Sequence, residues 1–174
     1  MLNPFKKSYS SQEISLFRFL NKVKLFESLS YEELSEFVPH MYLRSYKVNE
    51  VVFFREDPSN ALYIAKNGRV SLNIDVGDNF QSLTTIKSGE AFGDNALIPD
   101  TKRIYTSVVI SDSADLYVIP QVNIEEIFEG EPRIKAKMMT SFAEVYNEYT
   151  VSIFKAYRSS FGFFDLSQAY QEST

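Results

Sequence analysis

The chain contains no cysteine and no tryptophan, and His40 is the one histidine among its 174 residues. The absence of cysteine excludes disulfide bonds and thiolate metal sites, although it leaves the redox compartment open. A single histidine without cysteine provides no set of metal ligands and no pairing of a nucleophile with a base. The sequence therefore predicts a protein that is not an enzyme, with no catalytic residue and no metal.

Long apolar runs and an excess of positive charge are also missing. No apolar run approaches the ~20 residues that a membrane-spanning helix needs, and no apolar segment typical of a signal peptide follows the polar start of the chain. The net charge of −5 argues against general affinity for nucleic acid or anionic lipid. We expect a cytoplasmic protein with no membrane span and no direct binding to DNA.

Helical periodicity marks both ends of the chain. One helix opens at Ser11, and a second follows Ser30, where Glu33 three residues later fits a capping box. After Pro120 the helical period returns in a short segment, and Pro132 then sits in the first turn of a long helix that reaches roughly residue 158. The apolar seam of the long helix consists of Ile134, Met138, Phe142, Val145, Tyr149, Ile153 and Ala156.

The middle of the chain has the short runs of β-branched and aromatic residues that are typical of strands. Asn67-Gly68 is a type I′ turn signal and predicts a hairpin. At least six strands at this spacing favour a sandwich or jelly roll. The predicted strands are Val51–Phe54, Ala61–Ile64, Val70–Ile74, Leu83–Ile86, Tyr105–Ile110 and Leu116–Ile119.

These patterns predict an α+β fold, a β-sandwich or jelly roll with N-terminal helices and a long C-terminal helix. We expect an N-terminal lead with helices over 1–39, the sandwich over 40–120, and the short and long helices over 121–158. An aromatic tail would occupy 159–174. About twenty residues follow Lys155, too few for a helix-turn-helix domain.

One segment of the predicted sandwich contains residues suited to binding a ligand. Gly93 follows a strand run, Asp94 comes next, and Arg103 closes the segment. Glycine lets the backbone approach a ligand closely, and amides at a helix start point at anions. Arginine supplies a planar fork of donors for a phosphate, and a carboxylate accepts hydrogen bonds from sugar hydroxyls. Together these residues suit a ribose-phosphate ligand.

The same segment resembles the phosphate-binding cassette of cyclic-nucleotide-binding domains, Phe-Gly-Glu-x-Ala-Leu-x-x-x-x-x-Arg-x-Ala. Phe92, Gly93, Ala96, Leu97 and Arg103 match it without a gap, within a cassette that spans residues 92–105. Asp94 replaces the glutamate, and Tyr105 replaces the final alanine. The upstream stretches 51–58 and 62–70 also look like family elements, in the right order.

The resemblance implies a role for each cassette residue. Arg103 and the amides of Gly93 and Ile104 would hold the cyclic phosphate, and Asp94 would contact the ribose, with Phe92, Asn95 and Tyr105 beside them. A solvated surface charge is the ordinary role of an arginine in a sandwich. Asp94 could equally cap the cassette helix.

Outside the cassette, two positions match family residues that pack on the base, and two more fall near the long-helix positions that reach it. Val70 and Leu83 would pack on it, and Tyr149 and Thr150 on the long helix would reach it. Sandwich core is the simpler role for Val70 and Leu83, and packing in the apolar seam is the simpler role for Tyr149.

Tyr105 decides between two functions. Its side chain could fill the phosphate pocket, turn outward, or lend its hydroxyl to the phosphate. The resemblance implies a regulatory sensor that binds cAMP or cGMP as its ligand, needs no further cofactor, and signals through its C-terminal helices to a partner or a second copy. A filled pocket would instead indicate a degenerate domain that serves protein interaction or dimerisation. A cupin-like enzyme on a similar sandwich would need several histidine ligands.

Overall fold

The computed structural model describes residues 8–76 and 79–161 of the chain. Each segment with helical periodicity forms a helix, and short 3₁₀ turns connect or extend them. The helices are α1 Ser11–Leu20, α2 Tyr31–Phe37, α3 Gln121–Gly130 and α4 Pro132–Phe161, and the 3₁₀ turns are Lys24–Phe26, Val38–His40 and Asp94–Leu97.

Capping boxes begin both N-terminal helices. At α1, the Ser10 hydroxyl accepts a hydrogen bond from the Glu13 amide at 3.2 Å, and the Glu13 carboxylate accepts one from the Ser10 amide at 2.8 Å. Ser30 and Glu33 repeat the arrangement at α2, with distances of 3.2 Å and 2.7 Å. Each box satisfies two backbone N–H groups that a helix start would otherwise leave unpaired. The capping box predicted at Ser30 is confirmed.

Two antiparallel sheets of four strands each form the centre of the described structure, in the orders β1-β8-β3-β6 and β2-β7-β4-β5. The predicted jelly-roll sandwich, with helices before it and a long helix after it, is confirmed. The strands are β1 Tyr42–Lys47, β2 Val51–Phe53, β3 Ala61–Ala65, β4 Val70–Val76, β5 Asn79–Ile86, β6 Ala91–Phe92, β7 Thr106–Val109 and β8 Ser113–Pro120.

The core lies between the two sheets and receives side chains from both. Alternation along each strand turns every second residue inward, and burial of these apolar side chains is the main favourable term in folding. The cassette joins this core directly, because Phe92 and Tyr105 belong to it. Its buried members are Phe53, Ala65, Val70, Leu72, Ile86, Phe92, Tyr105, Val109, Ala114 and Leu116.

The hairpin predicted at Asn67-Gly68 is wrong, because β3 and β4 lie in different sheets. The Asn67 side chain bonds to β8 instead, donating to the Asp115 carboxylate and accepting from the Asp115 amide, each at 2.8 Å. Gly68 has a φ of 79°, and a Cβ there would collide with the backbone of Ser113 and Ala114. The segment is therefore a crossover pressed against β8.

Two strands are missed by the sequence pattern. Strand β1 lies at a sheet edge and most of its side chains are exposed, so it lacks the alternation of a half-buried strand. Strand β6 has two residues, which is too short for any pattern to develop.

The chain divides into two compact units, residues 1–141 and residues 142–174. The first unit contains both sheets and the cassette. In the second, the rings of Phe142 and Tyr146 lie 4.3 Å apart on α4. The predicted aromatic tail beyond residue 161 lies outside the described residues. Across 8–76 and 79–161, no helix combines the length and the apolar character that crossing a bilayer requires.

Candidate functional site

Strand β6 ends at Phe92, the first residue of the cassette, and Gly93 follows it. The φ of 67° at Gly93 is left-handed, and a Cβ at this position would lie 2.5 Å from Nη1 of Arg103. Both facts favour glycine, since it alone adopts positive φ without strain and leaves room for the guanidinium. The residue type in the motif therefore reflects a close approach between the two ends of the cassette.

Arg103 extends into the protein and is 2% exposed. Its Nη1 donates to the Gly93 carbonyl oxygen at 2.9 Å, and its Nη2 donates to the Ala61 carbonyl oxygen at 2.6 Å. The guanidinium carbon lies 4.2 Å from the centroid of the Phe53 ring and 5.6 Å from that of Tyr63. Nε is buried with no hydrogen-bond partner. The side chain is not a solvated surface charge.

The electrostatics of Arg103 favour an anion beside it. Burial lowers the pKa of Arg103, while Tyr63, Tyr105 and Asp94 act in the opposite direction. No carboxylate in the described part of the chain lies within ion-pair distance of the guanidinium. Arginine stays charged even when buried, so this cation is held by carbonyl and side-chain amide oxygens and by aromatic faces.

The loop after β2 fixes the backbone on either side of Arg103. The Arg103 amide donates to the Asp57 carbonyl at 2.8 Å, and the Glu56 amide donates to the Arg103 carbonyl at 2.9 Å. Pro58 and Lys102 form an isolated β-bridge. The upstream stretch 51–58, which carries part of the family resemblance, thus lies against the end of the cassette.

Tyr105 points inward and is 8% exposed. Its hydroxyl oxygen accepts a hydrogen bond from the Gly93 amide at 2.8 Å, and its ring centroid lies 5.7 Å from that of Phe53. Of the three positions open to Tyr105 in the sequence, the outward one is excluded. The side chain occupies the cassette interior and takes up one of the amides that the family resemblance assigns to the phosphate.

Asp94 is buried, and it is not the helix cap. Gly93 holds the N-cap position of the 3₁₀ turn, with Asp94 as the first residue inside it, so the capping role considered for Asp94 is wrong. Burial raises the pKa of Asp94, against the opposing effects of its own amide, the Asn95 amide and the Arg103 charge. A carboxylate in this setting gains from a hydroxyl donor.

Asn95 organises the cassette from within. Its Oδ1 accepts a hydrogen bond from the Ser59 hydroxyl at 2.9 Å and lies 3.5 Å from Nη1 of Arg103. Its Nδ2 donates to the Lys102 carbonyl, and its own carbonyl accepts from the Thr101 hydroxyl at 2.7 Å. The side chain predicted to bind ligand thus has protein partners that fix the loop between Gly93 and Arg103.

Phe92 is buried, whereas Ile104 is exposed. The Phe92 ring is buried and stacks on Tyr63, with centroids 5.2 Å apart. The Ile104 side chain is 61% exposed, and no acceptor in the described part of the chain binds its amide. That amide is available to a ligand at the cassette surface.

The four residues predicted near the base are divided between the two units. Val70 is fully buried in the core, whereas Leu83 on β5 is 52% exposed. Tyr149 and Thr150 belong to the second unit, where the Thr150 hydroxyl donates to the Tyr146 carbonyl at 2.7 Å. Of the two sandwich positions, Leu83 offers an apolar surface to a ligand and Val70 packs as core.

Sequence reasoning missed the groups that hold Arg103. The Ala61 carbonyl leaves no signal in the sequence, since any residue could supply it. Phe53 and Tyr63 lie in predicted strands, but only the sheet geometry brings their rings to the guanidinium.

Ser107 is also fully buried, and its hydroxyl has no hydrogen-bond partner. Within the described ranges, no cluster of three histidine, aspartate or glutamate side chains could hold a metal ion.

Residues 43–131, just over half of the chain, match the family described as the cyclic nucleotide-binding domain. The chain belongs to the cyclic nucleotide-binding domain family. The match runs from β1 to the end of α3 and includes the whole cassette. The family identified by resemblance in the sequence is thereby confirmed.

Two curated proteins and one solved structure are similar to parts of this chain. The chain is 28% identical over 121 residues to glutaminase 1 of Bradyrhizobium diazoefficiens, covering 70% of this chain and 19% of that protein. It is 28% identical over 90 residues to the cyclic AMP receptor protein of Thermus thermophilus, covering 51% of this chain and 42% of that protein. The regulatory domain of Toxoplasma gondii PKA, solved with cAMP, shares the fold, with a TM-score of 0.63 at 22% identity. The similarity covers 70% of this chain and 46% of that chain. The chain spans less than half the length of each of these proteins.

Proposed function

We propose that this cyclic nucleotide-binding domain is a sensor that binds a cyclic mononucleotide, cAMP or cGMP, at the cassette of residues 92–105. The observation that carries the proposal is Arg103, a guanidinium 2% exposed whose Nε has no partner. A buried cation without a counter-ion is costly, and a cyclic phosphate would supply the missing negative charge through charge-assisted hydrogen bonds.

The remaining roles follow from the positions of the cassette groups. The amides of Gly93 and Ile104 would bind phosphate oxygens, and Asp94 would accept a hydrogen bond from the ribose. Asp94 is one methylene shorter than the glutamate of the family motif, so we expect a longer or water-bridged contact. Leu83, half exposed on β5, is the sandwich residue best placed to pack on the base.

Similarity to proteins named for cAMP supports the ligand class. One relative is a cyclic AMP receptor protein and one solved structure is a PKA regulatory domain with cAMP. We take the chain to be a regulatory protein and not an enzyme, acting in the cytoplasm. The net charge of −5 makes direct DNA binding unfavourable.

Calorimetric titration of the purified chain with cAMP and with cGMP tests the proposal. Arg103→Lys keeps the positive charge and loses the planar fork, so it should weaken binding by about 100-fold, on the order of two charge-assisted hydrogen bonds. Arg18→Ala, which removes an exposed arginine from α1, is the matched control and should bind like the wild type. Absence of heat and of any melting shift with millimolar cAMP or cGMP would contradict nucleotide binding.

A second function has one observation in its favour. The Tyr105 hydroxyl occupies the Gly93 amide, and the ring fills the cassette interior. A domain closed in this way could act as a protein-interaction or dimerisation module without any nucleotide. The same titration separates the two functions, because this module would bind neither cAMP nor cGMP.

We further propose that the output passes through α4, which pairs with α4 of a second copy. The apolar seam is buried at Met138 and Phe142, while Ile153 is 65% exposed. Apolar stripes of this length seldom face water. Ile153→Glu should convert a dimer to a monomer in sedimentation velocity at tens of micromolar, whereas Asn147→Glu, which adds the same charge at an exposed polar position, should not. A monomeric wild type would contradict the pairing and leave a different protein as the partner.

A further inference from the structure

The two ends of the cassette are joined through both main-chain groups of Gly93. Its carbonyl accepts a hydrogen bond from Nη1 of Arg103 at 2.9 Å, and its amide donates to the Tyr105 hydroxyl at 2.8 Å. Arg103 and Tyr105 are two residues apart in the segment before β7, and both side chains reach Gly93. Together the two side chains bind the carbonyl and the amide of Gly93, an arrangement that we call the clamp.

We propose that Tyr105 is an internal competitor of the ligand, and that its hydroxyl must leave the Gly93 amide before a cyclic phosphate can bind. The proposal rests on the proposed nucleotide function. Tyr105 then determines affinity without contacting the nucleotide. It would hold the cassette closed in the ligand-free protein.

The chemistry of the two acceptors explains why exchange is feasible. A phenol oxygen is a neutral acceptor, whereas a phosphate oxygen is charged, and hydrogen bonds to a charged group are about twice as strong. The exchange also places an anion beside Arg103, which has no carboxylate partner among the described residues. The contacts of the buried ring oppose its displacement.

Those opposing contacts are specific. The Tyr105 ring lies 5.7 Å from Phe53, and the side chain belongs to the core between the sheets. Moving the ring costs part of this packing. The family motif carries alanine at this position, which has no ring to move, so the tyrosine raises the ligand concentration at which the sensor responds.

Tyr105→Phe is the sharpest test, because it removes the hydroxyl and keeps the ring. The Gly93 amide then lies buried without an acceptor in the free protein, and a phosphate oxygen restores its hydrogen bond. We expect Tyr105→Phe to bind cAMP or cGMP roughly three- to tenfold more tightly than the wild type, the equivalent of one neutral hydrogen bond. Tyr105→Ala should bind more tightly still. Tyr117→Phe, which removes a hydroxyl on β8, should match the wild type.

Two NMR measurements test the clamp, one on the ligand-free protein and one with saturating nucleotide. The chain contains six glycines, so selective ¹⁵N-glycine labelling gives a spectrum in which Gly93 can be assigned. The Gly93 amide should exchange slowly with solvent in the wild type and at least tenfold faster in Tyr105→Phe. In the wild type, saturating nucleotide should shift the resonances of a ¹³C-labelled Tyr105 ring.

The failure of this proposal differs from the failure of nucleotide binding. Three results would overturn the competitor role while nucleotide binding stands. They are equal or weaker affinity in Tyr105→Phe, an unchanged exchange rate of the Gly93 amide in that variant, and unshifted Tyr105 ring resonances at saturating ligand. If the wild type, Tyr105→Phe and Tyr105→Ala all fail to bind cAMP and cGMP, nucleotide binding itself is wrong and the competitor role falls with it.

Discussion

Glu33 on α2 and Lys137 on α4 form an ion pair, with Oε2 and Nζ 2.6 Å apart. The same carboxylate accepts the hydrogen bond that caps α2, from the Ser30 amide at 2.7 Å. Burial opposes ionisation of Glu33, but the hydrogen bonds from Lys137 and Ser30 and the Lys137 charge outweigh it, and the pKa of Glu33 lies below its usual value. One side chain thus fixes the start of an N-terminal helix to the C-terminal helix.

We expect Glu33→Gln to lower the free energy of unfolding by about 1 kcal/mol, because glutamine can still cap α2 but cannot pair with Lys137. Glu13→Gln is the matched control, since Glu13 holds the equivalent capping box at α1. Urea unfolding of both variants measures the difference. Equal losses would mean that the Lys137 pair contributes nothing beyond the cap.

The pH dependence of this pair has a defined sign. A carboxylate whose pKa is lowered by folding stabilises the native state above its unfolded pKa. The contribution is lost as the pH falls through the native value, below the usual 4.5. The gap between wild type and Glu33→Gln in urea unfolding should therefore close in acid, and a constant gap from neutral pH to acid would contradict the assignment.

Gly93→Ala should destabilise the protein more than Gly89→Ala does. Both glycines have left-handed φ, 67° and 85°, so both variants carry backbone strain of about 1–3 kcal/mol. A Cβ at Gly89 meets nothing within 4 Å, whereas one at Gly93 would lie 2.5 Å from Nη1 of Arg103. The excess loss in thermal unfolding measures how firmly Arg103 is held, and equal losses would show that the guanidinium moves aside freely.

Asp94→Asn should separate stability from binding. The raised pKa of Asp94 means that its charged form costs folding free energy, a cost that grows as the pH rises from the unfolded pKa to the raised native pKa and persists at neutral pH. The variant should therefore melt at a higher temperature than the wild type at pH 7. Asp94→Ala should weaken nucleotide binding by about 1–2 kcal/mol, and Asp94→Glu should retain or tighten it. Undiminished binding in Asp94→Ala would remove the ribose role.

Ser107→Ala should leave stability unchanged or raise it by up to about 1 kcal/mol, because the buried hydroxyl has no partner to lose. Ser59→Ala is the contrasting variant: Ser59 is equally buried but donates to Asn95 at 2.9 Å, so its loss should destabilise by about 1 kcal/mol. Chemical unfolding of the two variants should give different signs or clearly different sizes. A loss for Ser107→Ala as large as that for Ser59→Ala would contradict this interpretation.

The sequence predicted the helices and most strands because their signals are local. Capping residues, apolar periodicity and β-branched runs each act over a few neighbours, and both sheets assembled where those runs lie. The crossover at Asn67-Gly68 could not be predicted, because its conformation depends on contacts with Asp115 and Ser113 that lie far along the chain.

The candidate site shows the same division. Motif spacing identified Gly93 and Arg103 as neighbours around a ligand position. It could not say that the Ala61 carbonyl would hold the guanidinium, nor which way Tyr105 would turn, because a side chain two residues beyond the arginine has equal access to the interior and the surface until the sheets form.

The hydrogen bond from Arg103 to the Ala61 carbonyl places the cassette one step from the helices that follow the sandwich. Ala61 pairs with Pro120 across β3 and β8, and Pro120 is the N-cap of α3. The Gln121 amide, first in that helix, donates to the Asn60 carbonyl at 2.8 Å. Under the proposed function, an anion that draws Arg103 away from Ala61 would loosen the strand end on which α3 starts. Under that function, the signal would reach α3 over two peptide units, with no relay through the body of the sandwich.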